Sequence, residues 1–359
     1  HLCVIALVLF PGPCSAPAPL RAQTADVKRE DVLLTRLAFG SCNKALSPQR
    51  VWGAVRAKAP QMWLWAGDAV YLGGDQPGNL EEAFEAQGQQ VGYQQLLSDN
   101  IIVDGVYDDH DYGGNDAGKH FASRAQSQQL FLDFIGVPGD SPRRKRKGIY
   151  SSYLFGEGKR GAAPSQRVIM LDTRFHRDNH VIPSLAAIKL PLMSLVAATV
   201  RWLTMSLGFG SEHVGDILGE EQWQWLERQL RNSSASVHII VSSIQVLTSN
   251  PLVESWAHFP AAKRRLLNLL LSSRPANLVL LSGDVHFAEL SGNPPLELTS
   301  SGLTHTCGTT FWGRYCGSLV RAFNRHRRHF ASYGVGSSRN DGVRASESSR
   351  EEGASSEGW

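Results

Sequence analysis

MWLWAGDAVY (62–71) and LVLLSGDVH (278–286) decide how this chain is read. Each starts as an unbroken apolar run of strand length and ends in Gly-Asp, with Tyr71 or His286 close behind. Four further stretches share the plan of an apolar strand running into a polar cluster: RLAFGSC (36–42), IIVDGVYDDHD (101–111), VIMLDTR (168–174) and HIIVSSIQV (238–246). In an α/β protein the carboxyl ends of neighbouring strands share one edge of the sheet, where ligands bind. The clusters are therefore expected to converge.

Between these strands lie helical segments. LGEEQWQWLERQL (218–230) puts Trp223, Leu226 and Leu230 on one face, with Glu220 and Glu221 in the first turn where the helix dipole favours acid. AAKRRLLNLLLSS (261–273) reads as a second helix. The alternation gives a layered α/β fold. A chain of 359 residues, 42% apolar and without an internal repeat, is read as one large domain at 31–336. Residues 1–30 read as a leader remnant and linker, since LCVIALVLF (2–10) has the size of a signal-peptide apolar region and a Pro/Ala/Ser-rich stretch follows. A buried strand is the other reading of those nine residues. The Ser/Glu-rich segment 337–359 has almost no apolar content and is expected to be disordered.

The net charge of +3 is small for this length and implies no nucleic-acid surface. RRKRK (143–147), between Pro142 and Gly148, reads as a solvated loop. The apolar stretch 181–203 is interrupted by Pro183, Lys189, Pro191 and Arg201, so it reads as a packed or surface-lying insertion, with membrane contact as the other reading. With the leader removed, Cys42, Cys307 and Cys316 remain, and the last two are close enough in sequence for a small disulfide loop. Together with the sequon at Asn232, this fits the secretory pathway and a secreted product.

The clusters carry the chemistry. Asp68 is the best candidate for a carboxylate bridging two metal ions, and Gly67 lets backbone and metal approach closely. A thiolate and a phenolate beside it, Cys42 and Tyr71, would suit a trivalent or soft metal, although on residue type alone Cys42 reads as a small buried core residue. In DDHDYGGND (108–116), Asp109 is the expected ligand and His110 the expected general acid. Asp111 could fix the imidazole tautomer, and Asn115 and Asp116 are second-rank ligands. With alternating side-chain direction Asp284 and His286 are expected to point to the same side, so that both can face the site as metal ligands. Arg174 could grip a phosphate bidentately or pair with Asp172, with His176 and Arg177 as lesser candidates. Ser243 and Gln245 offer only neutral oxygens, so HIIVSSIQV reads as sheet core.

The ordered run FGSC (39–42), GDAVY (67–71), DDHD (108–111) with ND (115–116), LDTRFHR (171–177), LGEEQWQWL (218–226), SGDVHF (282–287) and LTSSGLTH (298–305) resembles the alkaline phosphatase D, or PhoD-like, branch of the metallophosphoesterases. The resemblance spans about 34–306, with a fainter echo in RHFASYGVG (328–336). It implies an α/β/β/α four-layer fold, a two-sheet sandwich flanked by helices, and a metal-dependent phosphomonoesterase or phosphodiesterase. It also implies iron (Fe3+) with calcium (Ca2+), held by Cys42, Asp68, Tyr71, Asp109, Asn115 and Asp284, with Arg174 or His110 meeting phosphate. Where the wider superfamily opens its site with Asp-x-His, this chain has Gly-Ser-Cys, and Asp284 stands for the first His of the closing motif. Expected substrates are small-molecule, lipid or nucleotide phosphoesters. A metallohydrolase for another ester or anhydride, and a non-catalytic metal-binding module on the same fold, are the alternatives.

Overall fold

The computed structural model describes residues 6–9, 27–29, 32, 34–156, 165–181, 193–309 and 327–331. All six apolar segments form strands, but on two sheets and not one. In the smaller sheet β3 (Arg36–Gly40), β4 (Met62–Ala66) and β5 (Ile102–Val106) run parallel, and β1 (Ala6–Leu9) pairs antiparallel with the free side of β3. In the larger sheet β7 (Gln166–Met170), β8 (Val237–Val241) and β9 (Leu278–Ser282) form a parallel centre. Around them lie β2 (Val27–Arg29), β6 (Ser151–Phe155), β10 (Ala288–Ser291), β11 (Leu296–Ser300) and β12 (Arg327–Ala331), in the order β12-β10-β11-β9-β8-β7-β6-β2.

The unbroken apolar runs follow from burial on both faces. Val168, Met170, Ile239, Val241 and Leu281 pack into the core shared with the smaller sheet. Their strand neighbours Ile169, Ile240 and Leu280 point the other way, into a second core with Trp223, Leu226 and Leu230 of one helix (Glu220–Arg231) and Leu266 and Leu270 of another (Pro260–Ser273). Helices at Val51–Ala57, Leu80–Gly88, Val91–Ser98 and Arg124–Phe134 cover the smaller sheet. Trp52 and Tyr93 from the first and third of these close on Trp65 of β4 at ring separations of 5.7 and 5.8 Å. The result is helix, sheet, sheet, helix, the four-layer arrangement expected.

Several expectations change. The basic run is not a solvated loop throughout: Arg143 is 2% exposed and pairs with the buried Asp104 at 2.9 Å, while Arg146 lies 3.9 Å over the Tyr150 ring. Only Lys145 and Lys147 of that run are exposed. Within the stretch read as leader, Ala6–Leu9 has a place in the smaller sheet. The rest of 1–30, apart from β2, lies outside the described residues, as do 337–359 and Cys316. Of the apolar insertion, 182–192 lies outside them too, and Met193–Ser206 forms a helix. Among the described residues no helix is long and apolar enough to cross a membrane.

Candidate metal centre

The strand ends of both sheets meet at one place, and the backbone there is bent to make them meet. Cys42, Asp68, Asp284 and His286 all adopt positive φ, 59°, 49°, 68° and 59°. Such a conformation is uncommon for residues with a side chain and gathers at functional sites. It also replaces the pleat argument for Asp284 and His286: neither is in a strand, and turns bring both into the cluster. The two Gly-Asp turns touch. A Cβ on Gly283 would sit 2.3 Å from the Ala66 carbonyl, and one on Gly67 would sit 2.6 Å from Asp108 Cβ.

Asp68 is at the centre. Its Oδ2 accepts from the Tyr71 hydroxyl at 2.8 Å and lies 3.7 Å from Cys42 Sγ, and its Oδ1 accepts from the His110 backbone N–H at 3.2 Å. It belongs to two sets of ligand atoms that lie within 4.8 Å of one another, Asp68 with Asp109 and His110, and Asp68 with Asp108 and Asp284. Cys42 is fully buried but is not in an apolar setting: Ser301 Oγ donates to its Sγ at 3.0 Å. His286 Nε2 stands 3.4 Å from the Tyr71 hydroxyl, and so joins the cluster through Tyr71.

The electrostatics call for cations. Burial and the neighbouring Asp109 hold Asp68 well above the usual carboxylate range; burial and Asp108 do the same for Asp284. Burial pushes Asp108 up to about 7 even though the Arg174 guanidinium opposes it. Among the described residues, Asp108 Oδ2 and Asp109 Oδ1 are buried without a hydrogen-bond partner. A buried carboxylate oxygen left unpaired is costly, and multivalent cations remove that cost. Around Asp68 the donors are sulfur and phenol from Cys42 and Tyr71, which suit a trivalent or soft ion, and carboxylates, which suit a hard one.

A third group, Asp116, His180 and Glu254, has its ligand atoms equally close but is already neutralised. Arg174 reaches both oxygens of Glu254 at 3.0 Å, Arg177 stands 3.2 Å from it, and Arg201 pairs with Asp116. Despite burial, Arg174 and Arg177 hold Glu254 well below its ordinary range. A cation has little to gain there.

Arg174 is corrected by the same geometry. It is 0% exposed, its Nε donates to Asp108 Oδ1 at 2.6 Å and its remaining nitrogens hold Glu254. Its guanidinium is committed to carboxylates and does not face a phosphate site. Only its backbone N–H meets Asp172, at 2.9 Å. Arg177 is buried against Glu254, and His176 turns to the Lys147 carbonyl at 3.4 Å. Asp111 does not hold the His110 ring: its carboxylate accepts from the Ala69 and Asp108 N–H groups at 2.8 and 2.5 Å and braces the loop. Asn115 is exposed in the turn after the short helix Asp109–Tyr112, and the Asp116 N–H donates to Asp109 Oδ2 at 2.8 Å.

Three residues are added. Asp108 joins the candidate ligands, its carboxylate being close to those of Asp68 and Asp284. Ser243, read as sheet core, donates to Asp108 Oδ1 at 2.5 Å. His305, from the LTH of 303–305, places its ring 5.0 Å from Tyr71 and 4.5 Å from His286. The His110 ring lies 4.1 Å from that of Tyr71, tilted by 34°, with its Nε2 3.9 Å from Asp109 Oδ1, and is half-buried.

The model of the PhoD-like phosphatase family matches residues 102–312, more than half of the chain. The chain belongs to that family. A 94-residue segment is 33% identical to alkaline phosphatase D of Bacillus subtilis (strain 168), covering 24% of this chain and 16% of that protein. The solved structure of PhoD superposes with a TM-score of 0.58 at 18% identity, covering 83% of this chain and 62% of that one. The chain thus spans less than two thirds of the length of either relative, and the structural likeness speaks for the shared fold. In this PhoD-like chain the acidic and histidine groups around Asp68 are those able to take metal ions.

Proposed function

We propose that this chain hydrolyses phosphoric esters, mono- or diesters, with the help of two or more bound metal ions. The observation that carries the reading is Asp68, shared by two ligand sets beside the unpaired oxygens of Asp108 and Asp109. Cys42, Tyr71 and Asp68 would hold a ferric-type ion, and Asp68, Asp108, Asp109 and Asp284 a harder one such as calcium. Bound, such a pair supplies a nucleophile at neutral pH and positive charge against the phosphoryl oxygens.

The protein groups do the rest. His110, half-buried with its ring 4.1 Å from that of Tyr71, would protonate the departing oxygen, with Asp109 Oδ1 3.9 Å from its Nε2 favouring the charged ring. Burial lowers the His110 pKa, which makes it a readier proton donor once charged. Arg174 anchors Asp108 from behind. Ser243 and Ser301 orient Asp108 and Cys42.

The test is elemental analysis of the purified protein together with hydrolysis of 4-nitrophenyl phosphate and bis(4-nitrophenyl) phosphate by wild type and Asp68→Asn. We expect bound metal and turnover in wild type and loss of both in the variant. A metal-free active protein, or a variant that keeps full activity, would sink the reading.

We also propose passage through the secretory pathway. Cys307 is disulfide-bonded and Asn232 is exposed just after its helix, which supports an oxidising compartment. Because Ala6–Leu9 also fits the smaller sheet, N-terminal sequencing of the exported protein is the deciding measurement: a start beyond residue 10 supports cleavage.

A further inference from the structure

Cys42, Asp68, Tyr71 and Asp109 are buried, but three histidines next to them reach solvent. His110, His286 and His305 are each half-buried, with ring centroids 4.1, 6.3 and 5.0 Å from that of Tyr71. The cluster is therefore open on the side of these rings. One more half-buried side chain stands there, Lys44, and the chemistry described above does not use it.

Two contacts hold Lys44 on that side. Its backbone N–H donates to Thr304 Oγ1 at 2.8 Å, and the same oxygen lies 3.1 Å from His305 Nδ1. Its ammonium meets Asp75, in the loop that follows Tyr71, at 3.9 Å. Lys44 is thus tied to His305 by its backbone and to the Tyr71 loop by its side chain. Burial holds His110, His286 and His305 below the ordinary histidine range, and the Lys44 charge acts in the same direction on all three.

The other cations around the cluster are committed. Arg174 is held by Asp108 and Glu254, Arg177 by Glu254 and Arg201 by Asp116. These are buried or nearly buried pairs, and breaking one strands a charge. Lys44 differs. Its side chain is 32% exposed, that of Asp75 is 74% exposed, and 3.9 Å is a loose ion pair. An exposed pair of this kind is worth little, so its ammonium can exchange Asp75 for an anion brought by a ligand.

We propose that Lys44 binds an anionic group on the alcohol portion of the phosphoester. The assignment rests on the hydrolase reading, and it narrows the substrate class to phosphoesters with a second negative charge beyond the bond that is cleaved. The phosphoryl group lies at the metal cluster and the leaving oxygen takes its proton from His110. Because the Lys44 charge reaches His110, the ammonium is close to where the alcohol portion emerges. Lys44 then turns from Asp75 to the distal anion, as a specificity-determining residue.

The test uses 3-carboxyphenyl and 4-carboxyphenyl phosphate, each beside its uncharged carboxamide, with the metal-loaded wild type and its Lys44→Met, Lys44→Arg and Asp75→Asn variants. The readout is the ratio of kcat/KM, acid over amide, within each protein, so any general change in turnover or metal content divides out. For at least one of the two isomers, Lys44→Met is expected to lower that ratio roughly 3-fold or more at low salt. Lys44→Arg is expected to keep it, and Asp75→Asn, which removes the competing carboxylate, to raise it. Added salt is expected to shrink the wild-type ratio toward that of Lys44→Met, since a part-exposed charge is screened. A ratio that Lys44→Met leaves as in wild type for both isomers, or that Asp75→Asn lowers, overturns the assignment. If the loaded wild type cleaves none of the esters, the hydrolase reading fails instead. The same acid-over-amide ratio is then read by calorimetry as binding of the matching arylphosphonates, where loss in Lys44→Met supports the Lys44 site and no change overturns it.

Discussion

The Tyr71 hydroxyl donates a 2.8 Å hydrogen bond to Asp68 Oδ2, three residues before it in the chain. Burial and the Asp68 charge hold the phenol well above its ordinary pKa in the metal-free chain. A ferric-type ion would reverse that, because it stabilises the phenolate more than Asp68 disfavours it. On the proposed assignment of a ferric-type ion to Cys42, Tyr71 and Asp68, Tyr71→Phe is therefore expected to lower bound iron while calcium stays, and to lower turnover with it. The check is elemental analysis of both metals in wild type and variant. Equal loss of both would place Tyr71 in a general structural role.

Ser243 is the second point of leverage. Its hydroxyl donates to Asp108 Oδ1 at 2.5 Å, and Thr173 Oγ1 lies 2.5 Å from the same serine oxygen. Together with Arg174 it holds Asp108 Oδ1, and among the described residues Oδ2 is left without a hydrogen-bond partner. Removing such a supporting group costs roughly 10–100-fold in metal affinity or activity. Ser243→Ala is expected to fall in that range, measured by metal titration, with a melting temperature close to that of wild type. An unchanged affinity would show that Arg174 alone positions Asp108.

What the sequence shows and hides can be seen in these same residues. The apolar runs and Gly-Asp endings reveal the strands and their polar ends, because burial on both faces writes itself into composition. They do not reveal two sheets: β3, β4 and β5 read like β7, β8 and β9, and only pairing separates them. Asp68, Cys42 and Tyr71 are legible because thiol, carboxylate and phenol are an unusual combination at strand ends. In DDHD the four adjacent polar side chains look alike, and a single turn of helix at Asp109–Tyr112 decides that Asp111 braces backbone while Asp108 and Asp109 face the cluster. Arg174 misleads for a related reason. The motif shows an arginine near the site, but its partner Glu254 is 80 residues away and no local pattern announces it.

Arg143 makes the same point in terms of stability. It stands in a run of five basic residues, yet its guanidinium is 3% exposed and reaches Asp104 at 2.9 Å, with the Tyr153 hydroxyl donating to the same oxygen at 2.7 Å. This network bridges β5 of one sheet and β6 of the other. Removing one member of a buried ion pair leaves the other charge unpaired, at about 3–5 kcal/mol. Arg143→Met is expected to cost that much in urea unfolding, and Lys145→Met, at an exposed position of the same run, within about 0.5 kcal/mol of nothing. Similar values for the two would mean that the Asp104 pair contributes little.

His258 gives a pH dependence that does not involve the ligands of the cluster. Burial, with His180 and Arg201 nearby, lowers its pKa from 6.5 to about 3 in the folded chain. Above pH 6.5 the ring is neutral in both folded and unfolded chains and contributes no slope. As pH falls from 6.5 toward about 3, the unfolded chain binds a proton that the folded chain refuses, so stability is lost across that window. One such group gives about 1.4 kcal/mol for each pH unit in the middle of the window. His258→Phe has no proton to bind in either state. Its stability relative to wild type is therefore expected to rise by about that amount between pH 5.5 and 4.5, whatever the offset between the two proteins at pH 7. Urea unfolding of both proteins, metal-free, at the two pH values reads the difference directly, and contributions from the remaining titrating groups cancel in it. Parallel stability curves across that interval would mean that the folded chain protonates His258 as readily as the unfolded one does, and that the ring is not sealed against the charge that burial opposes.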